Sequence, residues 1–486
     1  MHFIQPEKHT RRAFLSRCAQ LACTGTALPT ALNLAAFGEA AAFDATDYKA
    51  LVCVFLFGGN DYANTVVTYD DASYDRYSTI RGGGPDRTAG GIALAKADLA
   101  GTVLVPQVAL PGGRVYALHP AMGGLASLFN RGAAAVQLNV GPLVVPLTRS
   151  QYNSSDRVRY PLPPKLFSHN DQQSVWQTSQ AEGAIQGWGG RMGDLALSAN
   201  GKSLFTCISV TGNAVFLSGT SAQAYQVSPS GAVSIGSVNA AVYGSTAVQS
   251  AVAQMVQQPS THVLQNEYNR VTRRAIGSSG DVNAALAAHP ASAPEFAGFP
   301  SGDSLADQLK MVARLIAARN LLGATRQVFF VSLGGFDLHD NLIANQPTLL
   351  GRVSSALTAF YEATVQLGVA QQVTAFTASD FGRTLSSNGD GSDHGWGSHH
   401  LMVGGAVKGA AFYGAAPPVS IGNSATDPDD QWHVGQGRLL PSTAVDQYAA
   451  TLARWFGVSD TELAGILPNL RNFGGGDYPV DLGFLR

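Results

Sequence analysis

The sequence predicts an α/β protein with a mostly parallel central sheet flanked by helices. Three observations point there. Continuous apolar runs of strand length recur at 50–57, 133–140, 327–333 and 372–377, and a strand apolar on both faces belongs in a sheet covered on both sides. Helical patterns lie between them, around 121–130, 304–322 and 348–367, as crossover connections between parallel strands require. Three of the runs also deliver an acidic residue just past their ends, Asp61, Asp337 and Asp380, at the edge where such sheets place ligands.

The elements follow in chain order. Thr10-Arg11-Arg12-Ala13-Phe14-Leu15 precedes a weakly apolar stretch to about Phe37 and then Ala40-Ala41-Ala42. A basic head, a moderate apolar middle and a small-residue end are the plan of an export leader. Residues 1–42 are therefore expected to be a twin-arginine-type signal peptide, and the protein to be exported, periplasmic or extracellular. Its partner on that route would be the twin-arginine export machinery, which carries folded cargo, so a metal would be loaded before export. Residues 43–486 then form one domain, a normal size for a large α/β enzyme with insertions.

Within it, the strand at 50–57 ends in Gly58-Gly59-Asn60-Asp61, the one at 327–333 in Gly334-Gly335-Phe336-Asp337-Leu338-His339, and the one at 372–377 in Ser379-Asp380. The segment 200–326 is less orderly. It has β-like stretches at 204–210 and 214–217, a helical pattern near 247–275 broken at Pro259, and a Pro/Ala/Gly stretch at 289–302; an inserted cap packed on the sheet is expected. A closing strand at 401–405 follows, and Thr443 with Asp446 reads as a capping box for a helix running through Trp455.

Composition excludes several classes. Charged residues make up 13% and the net charge is −2, with no basic run longer than a pair after the leader, so nucleic acid is not an expected partner. No segment after the leader holds eighteen uninterrupted apolar residues, so no membrane span is expected. Of 4 cysteines, Cys18 and Cys23 fall in the leader and Cys53 and Cys207 in strands, which leaves no disulfide framework. Gly-x-Ser-x-Gly does not occur after the leader, against a serine-hydrolase elbow.

The loop opened by Asp380 carries His394, His399 and His400, three of the chain's 11 histidines. Its Gly/Ser/Asn composition builds no core. A single Asp after a strand is commonly a turn former or helix cap, but carboxylates and imidazoles collected on one edge suit one or two divalent ions, Zn²⁺ or Mn²⁺, whereas Ca²⁺ would need no imidazole. Paired ions lower a nucleophile's pKa and neutralise charge on a phosphoryl or sulfuryl group in transfer. Ser168, ahead of a helix expected at 170–180, is the nucleophile candidate, where helix amides favour an anion; it equally reads as an N-cap boxed with Asp171. His169 could ligate metal, touch the substrate anion or cap the backbone. Asn60 and Arg383 could contact a tetrahedral oxyanion, Arg383 equally forming an ion pair with Asp380. His119-Pro120 reads as a helix start, and the polar loop from Asp429 to His433 as a pocket rim.

The order of these elements resembles the alkaline phosphatase superfamily. The closer resemblance, over 51–473, is to an uncharacterised exported branch related to its sulfatase-like members, which carries versions of Leu56-Phe57-Gly58-Gly59-Asn60-Asp61, Ser168-His169-Asn170-Asp171-Gln172-Gln173, Gly335-Phe336-Asp337-Leu338-His339-Asp340 and Asp380-Phe381-Gly382-Arg383-Thr384. The resemblance implies that Asp61 and Asp380 share one metal, while Asp337, His339 and one of His399 or His400 hold the other. Phe381 stands where the phosphatases have a histidine, so either His394 substitutes from the loop or the second metal is weak or absent. It further implies a metal-dependent hydrolase of a small phosphate or sulfate ester. The alternative is a secreted binding or assembly protein that keeps the metal as a structural clip.

Overall fold

The computed structural model describes residues 43, 45–82, 91–233 and 235–486; the expected leader lies outside the described residues. Twelve strands occur among the described residues: β1 (Lys49–Leu56), β2 (Val66–Thr68), β3 (Tyr116–Leu118), β4 (Ala134–Gly141), β5 (Cys207–Ser209), β6 (Tyr225–Ser228), β7 (Gly231–Ala232), β8 (Arg326–Leu333), β9 (Val373–Ser379), β10 (Ser398–Gly404), β11 (Phe412–Tyr413) and β12 (Thr443–Ala444). Ten of them form one mixed sheet in the order β11-β4-β10-β9-β1-β8-β5-β6-β7, with β12 also on β4; β2 pairs with β3 separately. The stretch β9-β1-β8-β5-β6 is parallel throughout, and β10 runs antiparallel to both β9 and β4.

Alternation of side chains along β1 explains why its run is apolar at every position. Ala50, Val52, Val54 and Leu56 enter one core layer, beneath the helices Gly123–Asn130, Ser304–Ala317 and Leu342–Gln366. Leu51, Cys53 and Phe55 enter the other, beneath Trp188–Ala196 and Val445–Phe456. Each Val, Leu or Phe fully buried this way contributes about 1.5–3 kcal/mol. Register then sets the site: Leu56 pairs with Leu333 on one side and Ser379 on the other. Three parallel strands therefore end level, and the residues that follow them share one edge.

Several boundaries differ from the sequence expectation. The segment 200–326 is more than a cap, because β5, β6 and β7 extend the sheet beyond β8 and the helix Ser304–Ala317 belongs to the main core. Only the helix Thr246–Met255 stands off, burying no residue; the helix Val263–Ala288 seats its C-terminal end, Val282, Ala285 and Leu286, in the main core. Residues 214–217 form a 3₁₀ turn, Val215–Leu217, which buries Phe216 against Trp188; a short apolar run does not distinguish a strand from such a turn. The long helix begins at Leu342, with Pro347 inside it, where the ring forgoes one hydrogen bond to the carbonyl four residues earlier. The helix Val445–Phe456 is capped at Ala444, whose N–H donates to Gln447 Oε1 at 2.8 Å, because Thr443 is drawn into β12 beside Val140. No helix among the described residues is long and apolar enough to cross a membrane.

Candidate metal centre

The loops leaving β1, β8 and β9 touch because glycine permits it. Gly58 has φ +117°, and a Cβ there would sit 2.4 Å from the Asp337 backbone nitrogen; Gly59, at φ +83°, would strike the Phe381 ring. Neither position tolerates a side chain. The Gly-rich loop after Asp380 lies as close on the other side, since a Cβ on Gly391 would meet the His339 carbonyl. Gly391, like Gly382 and Gly395 in the same loop, therefore serves close packing of backbone on backbone.

Asp337 is the hub of what these loops carry. Its Oδ1 lies 2.5 Å from Arg383 Nη1, 3.1 Å from His339 Nε2 and 3.3 Å from His394 Nε2, while its Oδ2 lies 3.3 Å from His169 Nε2. His339 Nε2 and His394 Nε2 are 3.0 Å apart. On its far side each imidazole is pinned: His169 Nδ1 donates to Asp380 Oδ2 at 2.7 Å, His339 Nδ1 to Asp393 Oδ1 at 3.2 Å, and His394 Nδ1 to the Phe167 carbonyl at 2.7 Å. Carboxylates and carbonyls only accept, so each Nδ1 carries the proton and each Nε2 of a neutral ring presents a lone pair. Two lone pairs facing each other at this separation repel unless a proton or a metal ion lies between them. The four hub side chains are 25–40% exposed, so the arrangement opens to solvent.

Charges divide the imidazoles into two kinds. The hydrogen bond to Asp380, helped by the Asp380 and Asp337 charges and opposed by burial, raises the His169 pKa above its ordinary value. Burial lowers that of His394, and Arg383 and His169 push the same way. For Asp337, burial acts upward, but the Arg383 guanidinium and the neighbouring imidazoles outweigh it and hold the carboxyl below the usual range. Asp393 follows the same pattern, with burial outweighed by Asn388 and His339.

Asp380 stands behind the hub. It is fully buried, its Oδ1 accepts the Gly58 N–H at 3.2 Å, and its Oδ2 accepts from both His169 and Gln173 Nε2, the latter at 2.8 Å. His169 and Gln173 stand four residues apart on the helix His169–Thr178, one face of which therefore clamps the carboxylate.

A family model described as "Protein of unknown function (DUF1501)" matches residues 48–464. The chain belongs to the DUF1501 family. A search of curated proteins finds no match. The DUF1501 match runs from the start of β1 into the helix Asp460–Ile466 and so includes every residue of the hub.

Other expected site residues of this DUF1501 chain lie elsewhere. His399 and His400 are not donors to the hub, a correction that follows from β10 starting at Ser398. Neighbouring strand residues point to opposite faces, and both rings enter the core. His399 accepts the Asn139 N–H at 3.1 Å and packs edge-on against Tyr62 and Tyr116. His400 packs against Trp176 and Tyr448. Burial pushes both pKa values down to about 3.

Asp61 is likewise spent. Its Oδ1 accepts the Asn64 N–H at 3.0 Å, and its Oδ2 takes Arg81 Nη2 at 2.7 Å and the Ser392 hydroxyl at 2.6 Å. Asn60 is buried, its Oδ1 accepting from the Thr65 hydroxyl and its N–H donating to Ser379 Oγ. Arg383 is buried too. It pairs with Asp337 in place of Asp380, and its Nη1 and Nη2 also donate to the Gly58 and Ser392 carbonyls. Ser168 is the N-cap residue of its helix, but its hydroxyl donates to Asp171 Oδ2 at 2.9 Å and caps no backbone N–H.

The residues that sequence reasoning missed are Gln173, Asp393 and Phe167. The i, i+4 spacing of His169 and Gln173 was a readable signal, and Asp393 directly precedes His394. Phe167 contributes only a carbonyl, which no side-chain pattern announces.

Proposed function

We propose that this protein is an exported metal-dependent hydrolase of a phosphate or sulfate ester, of alkaline phosphatase-like architecture, using one divalent ion, Zn²⁺ or Mn²⁺. The observation that carries the reading is the set of three imidazoles from distant segments, each pinned at Nδ1 and each turning Nε2 onto Asp337. Metal–ligand distances of about 2.0–2.1 Å place tetrahedral donors roughly 3.3 Å apart. The separations among Asp337 Oδ1, His339 Nε2 and His394 Nε2 are 3.0, 3.1 and 3.3 Å. Three protein ligands with a fourth position open is the plan of a catalytic zinc site. When bound, the ion would act as a Lewis acid on a phosphoryl or sulfuryl oxygen.

The chain's own residues supply the rest. Arg383 holds Asp337, and Asp393 and the Phe167 carbonyl orient His339 and His394. His169, oriented by Asp380, would take a proton from an attacking water at Nε2 and return it to the leaving oxygen. Water fits better than Ser168 as nucleophile, because the Ser168 hydroxyl is committed to Asp171.

A second reading is favoured by one fact: donor atoms of His169, Asp337 and His394 all lie within 4.8 Å of one another. With His169 as an added ligand the set closes, and the ion becomes a structural clip in a secreted binding or assembly protein. Counting metal on purified protein and assaying aryl phosphate and aryl sulfate separates the two. One ion per chain, with turnover lost in His169→Ala and Asp337→Asn, supports the hydrolase. One ion without turnover, and a melting temperature lowered by chelation, supports the clip, and no stoichiometric ion removes both.

A further inference from the structure

We infer that Arg438 is the residue that recognises the anionic group of the substrate, with the metal-dependent reading above as its premise. Of the arginines near the hub, Arg438 alone keeps both terminal nitrogens without a protein acceptor among the described residues. Arg383 has given its terminal nitrogens to Asp337 and two carbonyls. Arg81 is buried on Asp61, and Lys165 lies 3.6 Å from both Asp171 and Glu182. Arg438 makes one hydrogen bond, from Nε–H to the His394 carbonyl at 2.8 Å. Its guanidinium lies over the Phe167 ring, 5.3 Å from the centroid, and Phe167 is the residue whose carbonyl holds His394. The fork is thus fixed at two points to the segments that build the hub. Nη1 and Nη2 have no protein acceptor among the described residues, as bidentate capture of a tetrahedral oxyanion requires.

Charge makes this capture depend on the ion. The hub and its immediate supports hold three carboxylates, Asp337, Asp380 and Asp393, and two guanidiniums, Arg383 and Arg438, so with neutral imidazoles the site carries a net negative charge and repels an anion. A divalent ion reverses that sign. Phe167 at φ +72° and Lys165 at φ +41° are left-handed positions without glycine, a strain that concentrates at functional segments.

The test is calorimetric titration of the full chain with inorganic phosphate and with sulfate, with and without Zn²⁺ or Mn²⁺, beside separate titrations of each metal alone. Phosphate or sulfate should bind the metal-loaded protein and not the metal-free one. Arg438→Met should weaken that binding at least about tenfold and leave metal affinity unchanged. Arg438→Lys, which keeps the charge without the fork, should weaken it severalfold and serves where the Met variant does not fold. Unchanged anion affinity in both variants overturns the role of Arg438, as does a metal-loaded wild type that binds neither anion. Anion binding lost in Arg438→Met, in a wild type that takes up no metal, supports Arg438 and overturns the metal-dependent reading instead.

Discussion

Replacing Asp61 by Asn discriminates between two roles that the sequence left open for this carboxylate. In the structure Asp61 pairs with Arg81 at 2.7 Å, and the two side chains are 3% and 0% exposed. Asn keeps the shape and removes the charge, so a desolvated guanidinium loses its counter-ion while the Ser392 hydroxyl and the Asn64 N–H lose an ionised acceptor. Breaking one side of a buried pair costs about 3–5 kcal/mol. Against a total stability of about 5–15 kcal/mol, that is a large fraction. The assay is urea unfolding, read as a lower midpoint at unchanged slope, together with a metal count on the folded variant. The ion should stay, because Asp61 spends its oxygens on Arg81, Ser392 and Asn64 and gives none to the hub. The double variant Asp61→Leu with Arg81→Met should recover only the part of the loss due to the unpaired guanidinium, since Ser392 and Asn64 stay without an acceptor. A variant within about 0.5 kcal/mol of wild type that has lost its metal would refute the argument and make Asp61 a ligand.

Other outcomes follow from the same geometry. Asp337→Asn and His394→Ala should abolish stoichiometric metal binding by elemental analysis, whereas His399→Phe and His400→Leu should retain it. Asp380→Asn removes the partner that raises the His169 pKa; a base that works as the neutral ring loses rate as pH falls through its pKa, so the acid limb of the turnover profile should move to lower pH. Acid stability tests the two strand histidines: unfolded, they protonate near pH 6.5, whereas folded they stay neutral down to about 3. Their contribution is complete above the unfolded pKa and falls with pH by about 1.4 kcal/mol per unit for each ring. Buried Asp446, raised to about 7, acts in the opposite sense over the upper part of that range. Urea midpoints at pH 7 and pH 5 should therefore converge in His399→Phe and diverge further in Asp446→Asn. Gly58→Ala should lower both the melting temperature and the metal content, because its Cβ has no room beside Asp337.

The parallel strands could be read from the chain because burial on two faces leaves a local mark. β1, β8 and β9 sit within one or two residues of the expected runs, and Asp337, His339, Asp380 and His394 were readable because acidic and imidazole side chains stand out just past those strands. His169 was visible at a helix start, with its role open. The histidine cluster misled at its second half. His399 and His400 lie only five and six residues beyond His394, but β10 takes them up three residues before the apolar run begins, and strand alternation sends them into the core. The pattern of apolar runs therefore determined the class of fold and the strand ends where candidate donors stand, whereas the register of β1 with β8 and β9 made those ends level. Which donors meet was decided by tertiary contacts: Asp61 is claimed by Arg81, Asp380 by His169 and Gln173, and Arg383 by Asp337. Hydrophobic periodicity is written in neighbouring residues, whereas the partner of a buried charge is chosen by distance and desolvation across separations that run here from 20 to 211 residues.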